Sequence, residues 1–361
     1  MNLLTYPKII LGWRHWAVFH YNAFLENVFI VFYIALAIPD YSNQFIFHLL
    51  MFYLFSVFST SYGYLVNDLA DRQLDAEHGK ENTFQHMSTS QAVSVVLSVL
   101  FISGGLAIPF LDNSIFIILW ILWLLTATFY SLKPIRLKER GRLGLIVVVC
   151  SQRLLPALLV FAAFEYHRLL EIILFSAYTF FRGISSDLNH QLEDYHRDVQ
   201  TATRTFVVQN GAQNARRIFH WILEIEKILL LFILIRIVLL FIQKYPAYWI
   251  GMAILTVVYI SFYLVSLYQI GKGYDRNPFL KDQKNVFQFI HHPFPTIILP
   301  VVLCGFLLIH NFNYIFVIIL FILNKGIFKK ETLFNNFLVV IFKEKIWGWL
   351  RKHYLFSIFI I

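Results

Sequence analysis

Long apolar stretches alternate with short polar loops along this 361-residue chain. A membrane-spanning helix needs about 20 mainly apolar residues, within a range of about 17 to 25. On that measure the pattern predicts spans at 16–38, 46–66, 92–110, 115–132, 143–164, 169–184, 228–241, 248–270 and 294–309. The sixth and seventh are short and are expected to extend into their polar flanks. A further run, 314–323, is too short to cross alone. It reads as a re-entrant piece, a tenth crossing or a continuation of the ninth span. The architecture expected is all-α: a polytopic bundle of about nine helices, two four-helix repeats plus a ninth. Residues 10–310 form the membrane domain. Residues 311–361 form an extension, in which lysines and arginines interleave with Trp347, Trp349 and other apolar residues as in an interfacial amphipathic helix.

The polar segments are unequal. With the N-terminus in the cytoplasm, the loops after spans two, four, six and eight carry fifteen basic residues, whereas the opposite loops offer only Arg168 and Lys244. That asymmetry fits the positive-inside rule and places the longest polar loops on the cytoplasmic face. Composition agrees: 58% of residues are hydrophobic and 14% charged, against about 25% charged in soluble domains. The net charge of +9 is explained by the loops, so no nucleic-acid partner is expected. Lys8 and Arg14 precede a first apolar run too long for a signal peptide's core, so it predicts a first span, not a cleaved leader. Cys150 and Cys304 lie in apolar runs and offer neither metal spacing nor a disulfide framework.

Two acidic motifs carry the chemistry. Span two runs into Asn67-Asp68-Leu69-Ala70-Asp71-Arg72-Gln73-Leu74-Asp75, and span six into His190-Gln191-Leu192-Glu193-Asp194-Tyr195-His196-Arg197-Asp198. Residues four apart share a helix face. Asn67, Asp71 and Asp75 therefore form one stripe, and Asp187, Gln191, Asp194 and Asp198 roughly another. Both stripes lie at a membrane boundary, on the same side. Converging carboxylates repel, and a hard cation relieves the repulsion. Magnesium takes oxygen ligands, typically one or two carboxylates plus substrate phosphates. One such motif alone is an ordinary charged loop helix. Two at equivalent positions, four spans apart, point to a shared diphosphate site and to a parallel internal repeat.

Basic companions follow. Arg136 and Lys138 alternate with apolar residues after span four, and Lys80 and Arg204 sit at comparable distances beyond the two motifs. Arginine grips phosphate through its planar fork, lysine as a point charge. With phenylalanine at 38 and aromatics at 18% of the chain, a subset lining a cavity would stabilise an allylic cation through ring quadrupoles.

These motifs resemble those of the UbiA superfamily of intramembrane prenyltransferases. The likeness rests on Asn67-Asp68-x-x-Asp71-x-x-x-Asp75, Lys80-x-Asn82, Ser88-Thr89-Ser90-Gln91-Ala92, the block from Tyr130-Ser131 to Arg136-x-Lys138, and Asp194-x-x-x-Asp198 followed by Thr203-Arg204-Thr205. It covers about residues 10 to 310. The resemblance implies nine helices around a cavity, Mg2+ as cofactor, a prenyl diphosphate donor, and an aromatic or lipid-like acceptor reached from the bilayer. It implies that Asn67, Asp68, Asp71, Asp75, Asp194 and Asp198 hold magnesium, with Asp71, Asp75, Asp194 and Asp198 catalytic. Lys80, Arg136, Lys138, Arg204 and Gln191 would meet the diphosphate. Arg14 and Asn22, at the start of span one, would orient the acceptor. Gln191 departs from the acidic residue many members carry there, which weakens the second metal site. Phosphoribosyl transfer and terpene cyclisation are alternatives within the superfamily. A cation-coupled transporter is an alternative outside it, and would place carboxylates near the bilayer midplane.

Overall fold

The computed structural model describes residues 10–20, 22–201, 203–280 and 286–325. No strand occurs among them; one isolated parallel bridge pairs Gly141 with Thr205. Seven helices are long and apolar enough to cross a membrane, where the hydropathy pattern led us to expect nine spans. The two shortfalls have separate causes. The first predicted span is broken into α1 (His15–His20), α2 (Ala23–Glu26) and α3 (Phe29–Ala37). Asn22 diverts the ladder there: its side-chain oxygen accepts from the Phe24 and Leu25 amides at 2.9 and 3.2 Å, competing with a continuous helix. The seventh span lies in α12 (Ala212–Lys244), long enough at 33 residues, but its apolar half carries Lys227, Arg236 and Lys244.

The remaining spans follow the pattern closely. α4 (Asn43–Glu77) starts at a Ser42 cap and runs 35 residues, about 52 Å at 1.5 Å per residue. A hydrocarbon core is about 30 Å thick, so the end that carries Asn67 to Asp75 extends beyond it. A Ser88–Gln91 capping box starts α5 (Thr89–Ala107). α6 (Ser114–Ser131) leads through the basic loop into α7 (Arg142–Val149), a π turn at Cys150–Leu154, and α8 (Leu155–Ala163). α9 (Leu169–Glu193) extends past the predicted end of span six. The chain then forms α10 (Tyr195–Gln200), α11 (Phe206–Asn210), α12, α13 (Trp249–Gly271), α14 (Val286–His291), a π turn at Phe294–Ile298, α15 (Leu299–His310) and α16 (Tyr314–Lys325). α4 packs chiefly on α5, and α9 on α12, the same pairing at equivalent places in the two predicted repeats.

The apolar 314–323 run becomes a helix of its own. Its 12 residues reach about 18 Å, little more than halfway across a bilayer. α16 packs on α15 and α1, and its Asn324 accepts from the Tyr53 hydroxyl at 3.1 Å. The basic amphipathic tail expected beyond it lies outside the described residues.

Side chains on the outer faces of the bundle are apolar and exposed, such as Phe101 at 83% and Trp221 at 72%. Water would penalise so much bare apolar surface, whereas lipid does not. Inside, the bundle buries ion pairs: Glu26 with Arg153, and Arg182 and Lys227 with Glu226 at 3.2 and 3.1 Å.

Candidate active site

The first acidic motif lies on continuous α4, and its carboxylates diverge. Asp71 faces the basic loop: Arg136 Nη2 donates to it at 3.0 Å, and Lys138 Nζ pairs with its other oxygen. Asn67 Oδ1 accepts from Ser131 Oγ at 2.8 Å and from Lys138 at 3.3 Å. Asp75 accepts from Asn82 Nδ2 at 2.8 Å. Asp68 is buried on another face, accepting from Thr83 Oγ1 at 2.5 Å and lying 3.4 Å from Arg14 Nη2. It ties the entry to α1 and the Thr83 loop onto α4.

The second motif is built differently. One helix was expected to carry Gln191, Asp194 and Asp198, but α9 stops at Glu193 and Asp194 is the joint from which α10 starts. The i,i+4 relation survives locally, since the Asp198 amide donates to Asp194 O at 2.9 Å. Asp194 pairs with Arg197 at 2.5 Å. Burial and then the negative charge of Asp194 push the Asp198 carboxyl above its ordinary range, while Thr205, Arg197 and Lys80 pull it back. Lys80, beyond the first motif, thus lies within electrostatic reach of the second. Gln191 is committed to its neighbours: its amide donates to Asp187 at 2.7 Å, and its carbonyl accepts from the Val207 amide at 3.2 Å.

The basic loop after α6 and the loop after α10 are fastened together. Gly141 N donates to Arg204 O at 2.8 Å, next to the Gly141–Thr205 bridge. Gly141 adopts φ of +56°, which glycine tolerates at little cost. The Arg204 side chain itself is exposed. Burial, the largest influence on Lys138, lowers its ammonium below the ordinary lysine range despite Asp71 nearby. Arg136 stays firmly charged: burial opposes its charge, but Glu139 and Asp71 outweigh it.

A cavity of about 510 Å³ lies under these loops. One end is walled by Asn67, Lys138, Asp187, His190 and Asp194; Phe24, Phe52, Phe55, Trp123 and Leu159 line the deeper part together with Ser56, Ser59, Thr60, Gln152 and Arg153. Asn67 and Phe55 are twelve residues apart on α4, about 18 Å along its axis, so the cavity runs deep below a charged mouth, with walls that mix aromatic and polar side chains. Arg14 and Asn22 also line it. Asn22 is largely spent on capping α2 and on Thr60, to which its amide donates at 3.1 Å. Asp68, Asp71, Asp75, Lys80, Arg136, Gln191, Asp198 and Arg204 stand outside the lining. Asp187, counted in the second stripe from sequence, lines it, and so do two residues given no role from sequence, His190 and Arg153. Arg153, like its partner Glu26, carries a charge inside an apolar run, the signal that marks such positions.

The family profile decides what this arrangement belongs to: that of the UbiA prenyltransferase family matches residues 28–279. The chain belongs to the UbiA prenyltransferase family. Among solved structures it is similar to a UbiA homolog from Archaeoglobus fulgidus. The form bound to DMAPP and Mg2+ is 16% identical over 82% of this chain and 98% of that one, with a TM-score of 0.52. The form bound to GPP and Mg2+ is 17% identical over 82% and 95%, at 0.53. At that identity the likeness is one of fold, and it supports the all-α membrane architecture of this UbiA member. No curated protein sequence matches the chain.

Proposed function

We propose that this UbiA member transfers a prenyl group from an isoprenoid diphosphate to an aromatic or lipid-like acceptor within the bilayer, releasing diphosphate. The observation that carries this reading is a cavity in which residues of both Asp motifs and Lys138 wall a polar mouth above a deeper part with aromatic side chains in its walls. The similar Archaeoglobus fulgidus structures hold DMAPP or GPP with Mg2+, ligands that match such a mouth and the depth below it. Residues 10–310 would form the catalytic unit, with the Asp motifs on the cytoplasmic face.

Magnesium fits the side chains present, because Asn67, Asp71, Asp75, Asp187, Asp194 and Asp198 offer oxygen donors only. Among the described residues no group of three or more His, Cys, Asp or Glu gathers to hold a metal alone. A cation here would therefore draw part of its shell from diphosphate oxygens, with Asn67, Asp187 and Asp194 nearest the cavity. Bound there, it supplies Lewis-acid neutralisation of the leaving diphosphate.

The chain's own groups do the rest. Lys138 and Arg136 turn from Asp71 to the diphosphate oxygens, stabilising the negative charge that develops as the C1–O bond breaks. The bonding pair leaves with diphosphate, and the allylic cation stays among the aromatic faces of the deeper part, away from bulk water. The acceptor's nucleophile then bonds C1 and loses a proton. A transporter would place its acidic motifs near the bilayer midplane, whereas these stand at the ends of α4 and α9. The test is incubation of purified protein with magnesium, labelled prenyl diphosphates of several lengths and a membrane lipid extract. Labelled product dependent on magnesium is expected; labelled diphosphate left intact in every mixture would refute the reading.

A further inference from the structure

A second chamber of about 210 Å³ opens beside the first and shares Arg153, Ser186 and His190 with it. Glu26 lines this chamber. One of its carboxylate oxygens, Oε2, is held by Arg153 Nη1, and Oε1 has no hydrogen-bond partner among the described residues. The local backbone is shaped to permit the pairing. Arg153 lies in the π turn Cys150–Leu154, a bulge of the kind that re-aims side chains at functional sites. Its stem crosses Gly183, where a Cβ would stand 2.7 Å from Arg153 Cγ. Glu26 is 6% exposed, in the first apolar stretch. A carboxylate so placed is costly and marks function by default.

We propose that Glu26 is the catalytic base of transfer, accepting the acceptor's proton, and that Arg153 is its positioning residue. This rests on the prenyl-transfer reading above. The acceptor occupies the second chamber, with its nucleophile directed past Arg153 and Ser186 toward the donor's C1. The C1–O bond breaks and its electron pair leaves with diphosphate. The acceptor atom supplies the pair for the new bond, and its proton passes to Glu26 Oε1. His190, on the wall of both chambers and exposed to solvent, gives that proton a way out. The other candidates are less suited. The Asp-motif carboxylates are drawn to the cation and diphosphate, and His291 Nδ1 is taken up by Glu226 and Lys227 at 3.0 and 2.9 Å. His292 also lines the chamber, packed against Phe279 and His291, and so belongs to the acceptor's walls.

The test uses the full chain in detergent with magnesium and geranyl diphosphate. The acceptor probes are a hydroxybenzoate, a dihydroxynaphthoate, a glycerol ether lipid phosphate and a membrane lipid extract. E26Q should lower kcat by about 10²- to 10⁴-fold, the usual worth of a general base, with the donor KM unchanged. E26D should recover part of the rate. Because E26Q leaves Arg153 unpaired, the double variant E26Q/R153Q is measured beside it and should stay as slow. Recovery in the double variant would show that Glu26 only balances a charge, and would overturn the proposal. So would an E26Q kcat within a few-fold of the unmodified enzyme. If the unmodified enzyme makes no product with any probe, the transferase reading falls and takes this inference with it.

Discussion

Asp71 and Asp194 stand on different elements, one on unbroken α4 and one at the α9–α10 joint. If both serve one diphosphate, Asp71→Ala and Asp194→Ala should each cut kcat/KM by at least about 10²- to 10³-fold, with the melting temperature in detergent nearly unchanged. Excess chelator should do the same to the unmodified enzyme, and full turnover in chelator would contradict the metal's role. Gln191 calls for a different expectation from that of a free amide meeting diphosphate. Its two polar atoms are held by Asp187 and Val207, so Gln191→Asp sets a second carboxylate against Asp187 and drops one donor. The donor KM should rise several-fold and the magnesium requirement should not fall; a lower magnesium requirement at unchanged donor KM would show the amide to be a replaceable ligand. Lys138 gives the pH dependence. Its ammonium is pushed below the ordinary lysine range, chiefly by burial, so its proton is lost as pH rises, sooner than from an exposed lysine near pH 10.4. Donor affinity should be full at neutral pH and fall on the alkaline side, and Lys138→Arg should extend the plateau upward. A donor Kd flat to roughly pH 10 in the unmodified enzyme would exclude Lys138 from donor binding. Spacing brought these groups forward as candidates, and the family resemblance gave them their expected roles. Their partners were not legible, because Asp71 meets Arg136 and Lys138 across more than sixty residues of chain, and no local pattern encodes that.

At the scale of elements, the 3.6-residue logic read most spans well and failed where side chains compete with the backbone ladder. Asn22 breaks the first span by capping inside it. The halt of α9 at Glu193 has no proline or glycine to announce it, and a charged run that looks uniformly helical hides the joint at Asp194. The two π turns, at Cys150–Leu154 and Phe294–Ile298, stand close to Pro156 and at Pro295, prolines that mark an interrupted ladder without revealing the extra residue in the turn. Their effect on packing is testable at Gly183. A methyl group there would meet Arg153 Cγ at 2.7 Å and Val149 Cγ1 at 2.8 Å, which forces α9 away from α7 or displaces Arg153. Gly183→Ala should destabilise the protein by about 1–3 kcal/mol as overpacking, read as a lower melting temperature. An unchanged melting temperature would mean that the π turn absorbs the methyl group freely.

For the whole molecule, apolar length and basic-loop asymmetry were enough to give an all-α membrane bundle, and the repeat of the acidic motif pointed to its two halves. The orientation is open to direct measurement. A cysteine introduced at Gln73 or at Glu193 should react with an impermeant thiol reagent from the cytoplasmic side only, and labelling from the opposite face would reverse the topology. Among the contacts that cross the bundle, one fastens the basic loop after α6 to the loop after α10: the backbone bridge from Gly141 to Thr205 with its hydrogen bond to Arg204 O. It rivets these two loops together as two flaps. Neither flap can lift without tearing a backbone hydrogen bond or carrying the other with it. Their fluctuations are therefore expected to be coupled: amide exchange in the 136–142 and 203–205 segments should quicken and slow together, and a bound donor should quiet both.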